Sequence, residues 1–462
     1  MKEKSVGEKP VLLMRVLGFP SLFVVAVGIV TAQSCFVSTL QGAGLGGVSF
    51  LVALWMAFIL TLCYVSTYSE LSLMMPKAGS ISTYTAVAIG HFPAIIATLS
   101  GYLAPVLFAG PAELLLVQNI LHQTFPDVFA HVGLVILAIF TLLNLLGIDI
   151  FSAVQSILTY AMLLTMLMIG IAGFYSTPAL GLSSDDMWQG FSHIGLDVFS
   201  LVVLAIWAFL SLEFICPLIE ESKQPEKNIP KTMFLGAIVI LIVHSLIAYT
   251  GMRHVPAEQL IESNTPHGLL VNGLFKNWGW LMITVFAITT TSGIINSTLA
   301  TIPRVLFGMA HHHQLPAIFK ALHPRWKTPW FGILLVAALQ ALPMLILANS
   351  PDILLLLVIS AATCWLLTYI IAHIDVMVLR KKYPHFKRPF TSRFYPVPQV
   401  LGIVGMGYAI FNNAPTPDLT IKVYTNAALF IGITAIYAFF WVKYSMKKGL
   451  FEAETIERAI GD

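Results

Sequence analysis

The chain has 462 residues, of which 57% are hydrophobic and only 10% are Asp, Glu, Lys or Arg, against roughly 25% charged residues in soluble domains. A water-soluble fold cannot cover that much apolar surface, and apolar runs long enough to cross a hydrocarbon core of roughly 30 Å recur from residue 16 to residue 444. The formal net charge of +3 is spread over many segments, which argues against a nucleic-acid footprint and leaves an all-α polytopic membrane protein with no nucleic-acid partner.

Breaks at Pro, Gly and charged residues divide the chain into spans near 16–40, 48–72, 81–121, 131–147, 150–175, 196–219, 232–252, 278–310, 328–347, 353–379, 397–412 and 423–444, about twelve membrane helices. The first, about Val16 to Leu40, is too long for a cleavable signal peptide and further spans follow at once. The third and eighth exceed a perpendicular crossing, which predicts strong tilt or a helix that continues past the lipid surface. Cys35, Cys63, Cys216 and Cys364 all fall in apolar spans without paired spacing, so neither a disulfide scaffold nor a zinc ribbon is expected.

Lys and Arg favour cytoplasmic loops. With residues 1–15 inside, the cytoplasmic segments hold Lys2, Lys4, Lys9 and Arg15, then Lys77, then Lys223, Lys227 and Lys231, then Arg304, Lys320, Arg325 and Lys327. The 380–393 loop and the 445–462 tail add most of the rest, and only Arg253, Lys276 and Lys422 of the 25 fall outside. Both termini are therefore expected in the cytoplasm of a cell with the protein in its inner membrane.

Two spans carry polar interruptions at mid-membrane. The first reads Thr31-Ala32-Gln33-Ser34-Cys35 and the sixth Ser211-Leu212-Glu213-Phe214-Ile215-Cys216-Pro217; such interruptions at matching places in two halves point to a binding site in inverted-repeat transporters. Glu213 costs at least roughly 2.5–3.5 kcal/mol at mid-span, so it reads as a substrate-ammonium or proton site, or else as a protonated structural acid bonded to a neighbouring helix. Pro217, four residues on, would clash with the Glu213 carbonyl in an α-helix and free polar backbone beside the acid. Glu113, in Gly110-Pro111-Ala112-Glu113, is the second intramembrane acid; it reads as a pocket carboxylate or proton relay, or as a group turned to the outer vestibule or bonded within the bundle. His244 reads as a core histidine. Thr289 to Ser292, Asn296 and Ser297 give the eighth span a polar face that suits helix packing or a sodium site.

Trp207-Ala208-Phe209-Leu210-Ser211-Leu212-Glu213, followed by Glu220-Glu221 and Pro225-Glu226-Lys227-Asn228-Ile229-Pro230-Lys231, resembles the sixth span and next loop of the amino acid–polyamine–organocation permeases. Glu70-Leu71-Ser72 with Pro76-Lys77-Ala78-Gly79-Ser80 and Tyr84, Gly147, Asn296 with Arg304 and Leu315-Pro316, and His323-Pro324-Arg325-Trp326-Lys327-Thr328-Pro329 agree with the same family. The resemblance implies a leucine-transporter-like fold of two inverted five-helix repeats, 16–175 and 196–379, with peripheral helices over 397–444. It also implies a site at Thr31, Ala32, Gln33, Ser34, Gly110, Glu113, Trp207, Ser211 and Glu213, with Trp207 closing over the substrate and Glu213, joined by Glu113, in proton coupling. Three departures stand out. Ala32-Gln33-Ser34 replaces the usual Gly-Ser-Gly, Ser211 replaces a glycine, and Met162 falls where some members carry a lysine in place of sodium. His311-His312-His313, where Arg-Asp-Gly is common, reads as a solvated cap rather than a metal site.

No Gly-x-x-x-x-Gly-Lys-Ser/Thr segment is present, so no nucleotide is implied, and neither His-Glu-x-x-His nor Gly-x-Ser-x-Gly appears. No cofactor is expected. The reading is a secondary permease for an amino acid or related amine or polyamine, coupled to protons or a counter-substrate in the lipid bilayer, with a channel or an intramembrane enzyme as the alternatives.

Overall fold

Inside a hydrocarbon layer each backbone N–H and C=O must find a partner within the chain, so a polytopic sequence of this kind resolves into helices. The computed structural model describes residues 15–127, 131–179, 198–347, 353–414 and 416–461, and no strand occurs among them, only one isolated bridge between Leu17 and Ser222. Lys2, Lys4 and Lys9 of the orientation argument lie outside the described residues.

In chain order the helices are α1 (Phe19–Val30), α2 (Gln33–Gly46), α3 (Val48–Met74), α4 (Ile81–Ala88) and α5 (His91–Thr98), which passes through a π-turn into α6 (Ala104–Thr124). There follow α7 (Val132–Leu145), α8 (Ile148–Tyr175), α9 (Val198–Trp207), a 3-10 segment Leu212–Glu221, α10 (Pro225–His254), α11 (Ala257–Glu262) and α12 (Pro266–Phe275). The remainder are α13 (Gly279–His311), α14 (Trp330–Leu347), α15 (Ile353–Lys382), α16 (Val397–Phe411), α17 (Pro417–Phe440) and α18 (Ile456–Gly461).

Among the described residues eight helical stretches are long and apolar enough to cross a membrane, nine if the bent pair α1 and α2 is one span. Val132–Leu145, Trp330–Ile346 and Val397–Phe411 are apolar but shorter, so by length alone the structure stops below the twelve expected. The long third stretch splits: α4 is a separate short helix and the crossing starts at His91. The eighth stays whole, for the 33 residues of α13 reach about 50 Å at 1.5 Å per residue, well past the lipid core.

The two interrupted spans sit at the centre. α1 packs on α8, α10 and α13, while α2 lies against α9 and α10. α16 and α17 pack on α15 at the periphery. Ile157, Leu164 and Ile171 along α8, and Leu429, Ile433 and Ile436 along α17, are exposed apolar rows at helical spacing, as lipid contact requires.

One end of the bundle is held by ion pairs, one buried and one partly buried. Arg304 of α13 grips Glu221 with Nε at 2.7 Å and Nη2 at 3.2 Å, and Arg380 of α15 grips Glu70 of α3 at 2.9 and 2.6 Å. At the same end Gly308 lies against the backbone of Gly79, where a Cβ would stand 2.3 Å from the Gly79 nitrogen.

Candidate substrate site

The first span breaks at Thr31 and Ala32, and α1 and α2 diverge by 51°. Thr31 helps end α1, its hydroxyl donating to the Val27 carbonyl at 2.6 Å. Ala32 is extended (φ −60°, ψ 157°), so α2 begins afresh with N–H groups that have no helical acceptor. Glu113 of α6 supplies one: its carboxylate accepts the N–H of Gln33 at 3.1 Å and of Ser34 at 2.9 Å. A carboxylate therefore does reach the backbone of Ala32-Gln33-Ser34.

The sixth span breaks between α9 and the 3-10 segment. Ser211 takes φ +86°, the left-handed region that favours glycine, at a cost of order 1–3 kcal/mol. The 3-10 form also answers the expected Pro217 clash: bonds run from i to i+3, so the Glu213 carbonyl is not required to bond a proline nitrogen. The break is clamped to α15. Glu213 accepts the Trp365 indole N–H at 2.9 Å and the Tyr369 hydroxyl at 2.5 Å, and the Tyr369 oxygen accepts the Ser211 N–H at 3.0 Å. Tyr64 stacks on Tyr369 at 4.2 Å and its hydroxyl donates to the Phe209 carbonyl.

Both breaks line one buried cavity of about 30 Å³. Ala32 and Cys35 come from the first span, Gly110 from α6, Trp207, Ser211 and Phe214 from the sixth, Thr298 from α13, Gln340 from α14 and Trp365 from α15. Gly110 makes room for Gln340, since a Cβ there would lie 2.7 Å from the glutamine side chain. The Trp207 indole donates to the Ser34 hydroxyl at 3.0 Å, and Ser34 lines a second cavity of about 40 Å³ with Gln41 and Asn264. The Trp207–Ser34 bond thus links a wall residue of the first cavity to one of the second.

Of the residues expected at the site, Ala32, Gly110, Trp207 and Ser211 line the cavity, and Gln33, Ser34 and Glu113 meet beside it. Thr31 turns away to the Met162 sulfur at 3.0 Å. Glu113 and Glu213 do not face one cavity: neither lines it, and each is satisfied by its own pair of donors, as a buried carboxylate requires. Trp365, Tyr369 and Gln340 were not expected. The first two stand four residues apart on one face of α15, and Gln340 is a polar residue in an apolar run; those were the available signals.

His244 meets Thr39 at 2.7 Å, and Asn296 bonds Asn144 at 2.8 Å and Gln155 at 2.9 Å, joining three helices. The histidine run divides, His312 meeting Thr83 at 3.0 Å while His311 packs on Phe307. No convergent group of three metal-ligating side chains occurs among the described residues.

A polytopic helical bundle with two broken helices around a buried cavity is the architecture of a membrane transporter. Residues 17–439 match the family model described as amino acid permease, and the chain belongs to that family. It is 24% identical over 453 residues to the serine/threonine exchanger SteT of Bacillus subtilis, covering 91% of this chain and 97% of that protein. It is 26% identical to the branched-chain amino acid permease BcaP of the same organism, covering 88% and 89%, and 26% identical to the mouse large neutral amino acids transporter small subunit 2, covering 86% and 76%. In fold it is similar to a solved manganese transporter of Eremococcus coleocola, with a TM-score of 0.62 at 11% identity, covering 92% and 93%.

Proposed function

We propose that the protein is a secondary permease that moves an amino acid or related amine across the cytoplasmic membrane by alternating access, with both termini in the cytoplasm. The observation that carries this reading is that the breaks at 31–32 and 208–211 line one buried cavity, because interrupted helices at mid-membrane expose backbone polarity only where a cargo uses it. Segments 16–175 and 196–379 act as the two repeats that rock about this site. Glu213, held by Trp365 and Tyr369 across the sixth and tenth expected spans, is the proton-coupling group, and exchange against a counter-substrate is the other mode the relatives' names support. Purified protein in proteoliposomes should show saturable uptake that accelerates when the lumen is preloaded with cargo. Uptake linear with concentration and insensitive to preloading would instead mean a channel.

A further inference from the structure

The N-terminus of α2 is the anion-binding position beside the cavity: two main-chain N–H groups at mid-membrane, backed by the positive end of a helix dipole. It is taken by the chain itself, for Glu113, fully buried, accepts both N–H groups. What the cavity wall offers a cargo is of the other polarity. No Lys, Arg or His lines it, and its side-chain N–H groups are committed: Trp207 to Ser34, Trp365 to Glu213, and the Gln340 amide nitrogen to the Val336 carbonyl at 3.5 Å. The Gln33 amide is buried without a partner, but Gln33 is not part of the wall.

The Gln340 carbonyl oxygen, in contrast, is buried without any donor on a residue that lines the cavity. The rings of Trp207, Phe214 and Trp365 line the same cavity, with Trp365 5.2 Å from Phe214 and 6.4 Å from Trp207. An unpaired acceptor among aromatic faces attracts a cation. It offers a free carboxylate nothing, and of the wall's side-chain donors only the Ser211 hydroxyl is left to meet one, so a carboxylate brought there would be desolvated with little compensation.

We infer that Glu113 is a tethered carboxylate that fills the anion position of the broken first span, so that the cargo is a primary amine whose own carboxylate is dispensable, with its ammonium read by the Gln340 oxygen and the three rings. The inference rests on the permease reading above and narrows its substrate class. It also separates this chain from relatives whose names specify amino acids.

The test pairs each amino acid with its decarboxylated amine: ornithine with putrescine, arginine with agmatine, phenylalanine with phenethylamine, serine with ethanolamine. Binding to the full-length protein in detergent is measured by calorimetry, and uptake in proteoliposomes by competition. In the wild type the amine of at least one pair should bind tenfold or more tighter than its amino acid. Glu113→Ala frees the two N–H groups, so the preference within that pair should shrink tenfold or reverse. Glu113→Gln keeps the shape and one acceptor, and should shrink it by less. A wild type that binds the amino acids and ignores the amines overturns the inference and leaves the permease reading standing, whether or not the variants fold. If no member of any pair binds or is taken up, the permease reading falls with it.

Discussion

Trp207→Phe removes one N–H while keeping an aromatic ring in the cavity wall. The bond lost is the 3.0 Å contact to the Ser34 hydroxyl, buried on both sides, and a net hydrogen bond of this kind contributes about 0.5–1.5 kcal/mol. If that bond keeps the Trp207 ring closed over the cavity, the open fraction should rise about 2- to 13-fold. Cys35 is a built-in reporter, since it lines the inner cavity and its thiol reaches the Trp207 carbonyl at 3.6 Å. Its alkylation by a maleimide, resolved from the other cysteines by mass spectrometry, should accelerate by that factor in Trp207→Phe and equally in Ser34→Ala. The double variant should be no faster than the faster single one, because both remove the same bond. Multiplicative effects would mean the two side chains act independently, and unchanged labelling in all three would refute Trp207 as the residue that closes the cavity.

The Glu221–Arg304 pair is buried and bidentate, so Glu221→Leu alone should cost about 3–5 kcal/mol by stranding the guanidinium, and Glu221→Leu with Arg304→Met should recover most of it; thermal unfolding in detergent decides, and a single variant within 1 kcal/mol of wild type would refute it. Gly308→Ala drives a methyl into the Gly79 backbone rather than into a flexible side chain, so monodisperse protein should be lost on size-exclusion chromatography, whereas wild-type yield and unfolding temperature would contradict the close approach. In the tail, Glu454 joins His312, Lys448 and Arg458. Burial would raise its carboxyl, but the His312 hydrogen bond and the charges of His91 and Lys448 outweigh that and hold it down to about 2. A depressed carboxylate stabilises docking above its ordinary value, near 4.3, and loses that contribution only as pH falls through about 2. Glu454→Gln should therefore speed tryptic cleavage of the tail at pH 8; an unchanged rate would remove Glu454 as the anchor.

Composition and hydropathy alone determined that the chain is a helical membrane bundle, because lipid permits little else to a sequence with so few charges. The local chemistry of Glu213 and Pro217 also marked the sixth span as broken, since a mid-membrane carboxylate and a missing backbone donor are costly wherever the rest of the chain goes. Partners separated by many residues were a different matter. Nothing local in Glu113 says that it would reach 80 residues back to the start of α2, or in Trp365 and Tyr369 that they would bind an acid about 150 residues earlier. Polar groups inside a bilayer must find donors somewhere, but which donors is settled by which helix faces meet. The depth of Gly110, which admits Gln340 to the cavity wall, is likewise a property of two packed helices and of neither one alone. A carboxylate legible in sequence as a pocket residue thus became, once the helices packed, the group that fills the pocket's anion position from within.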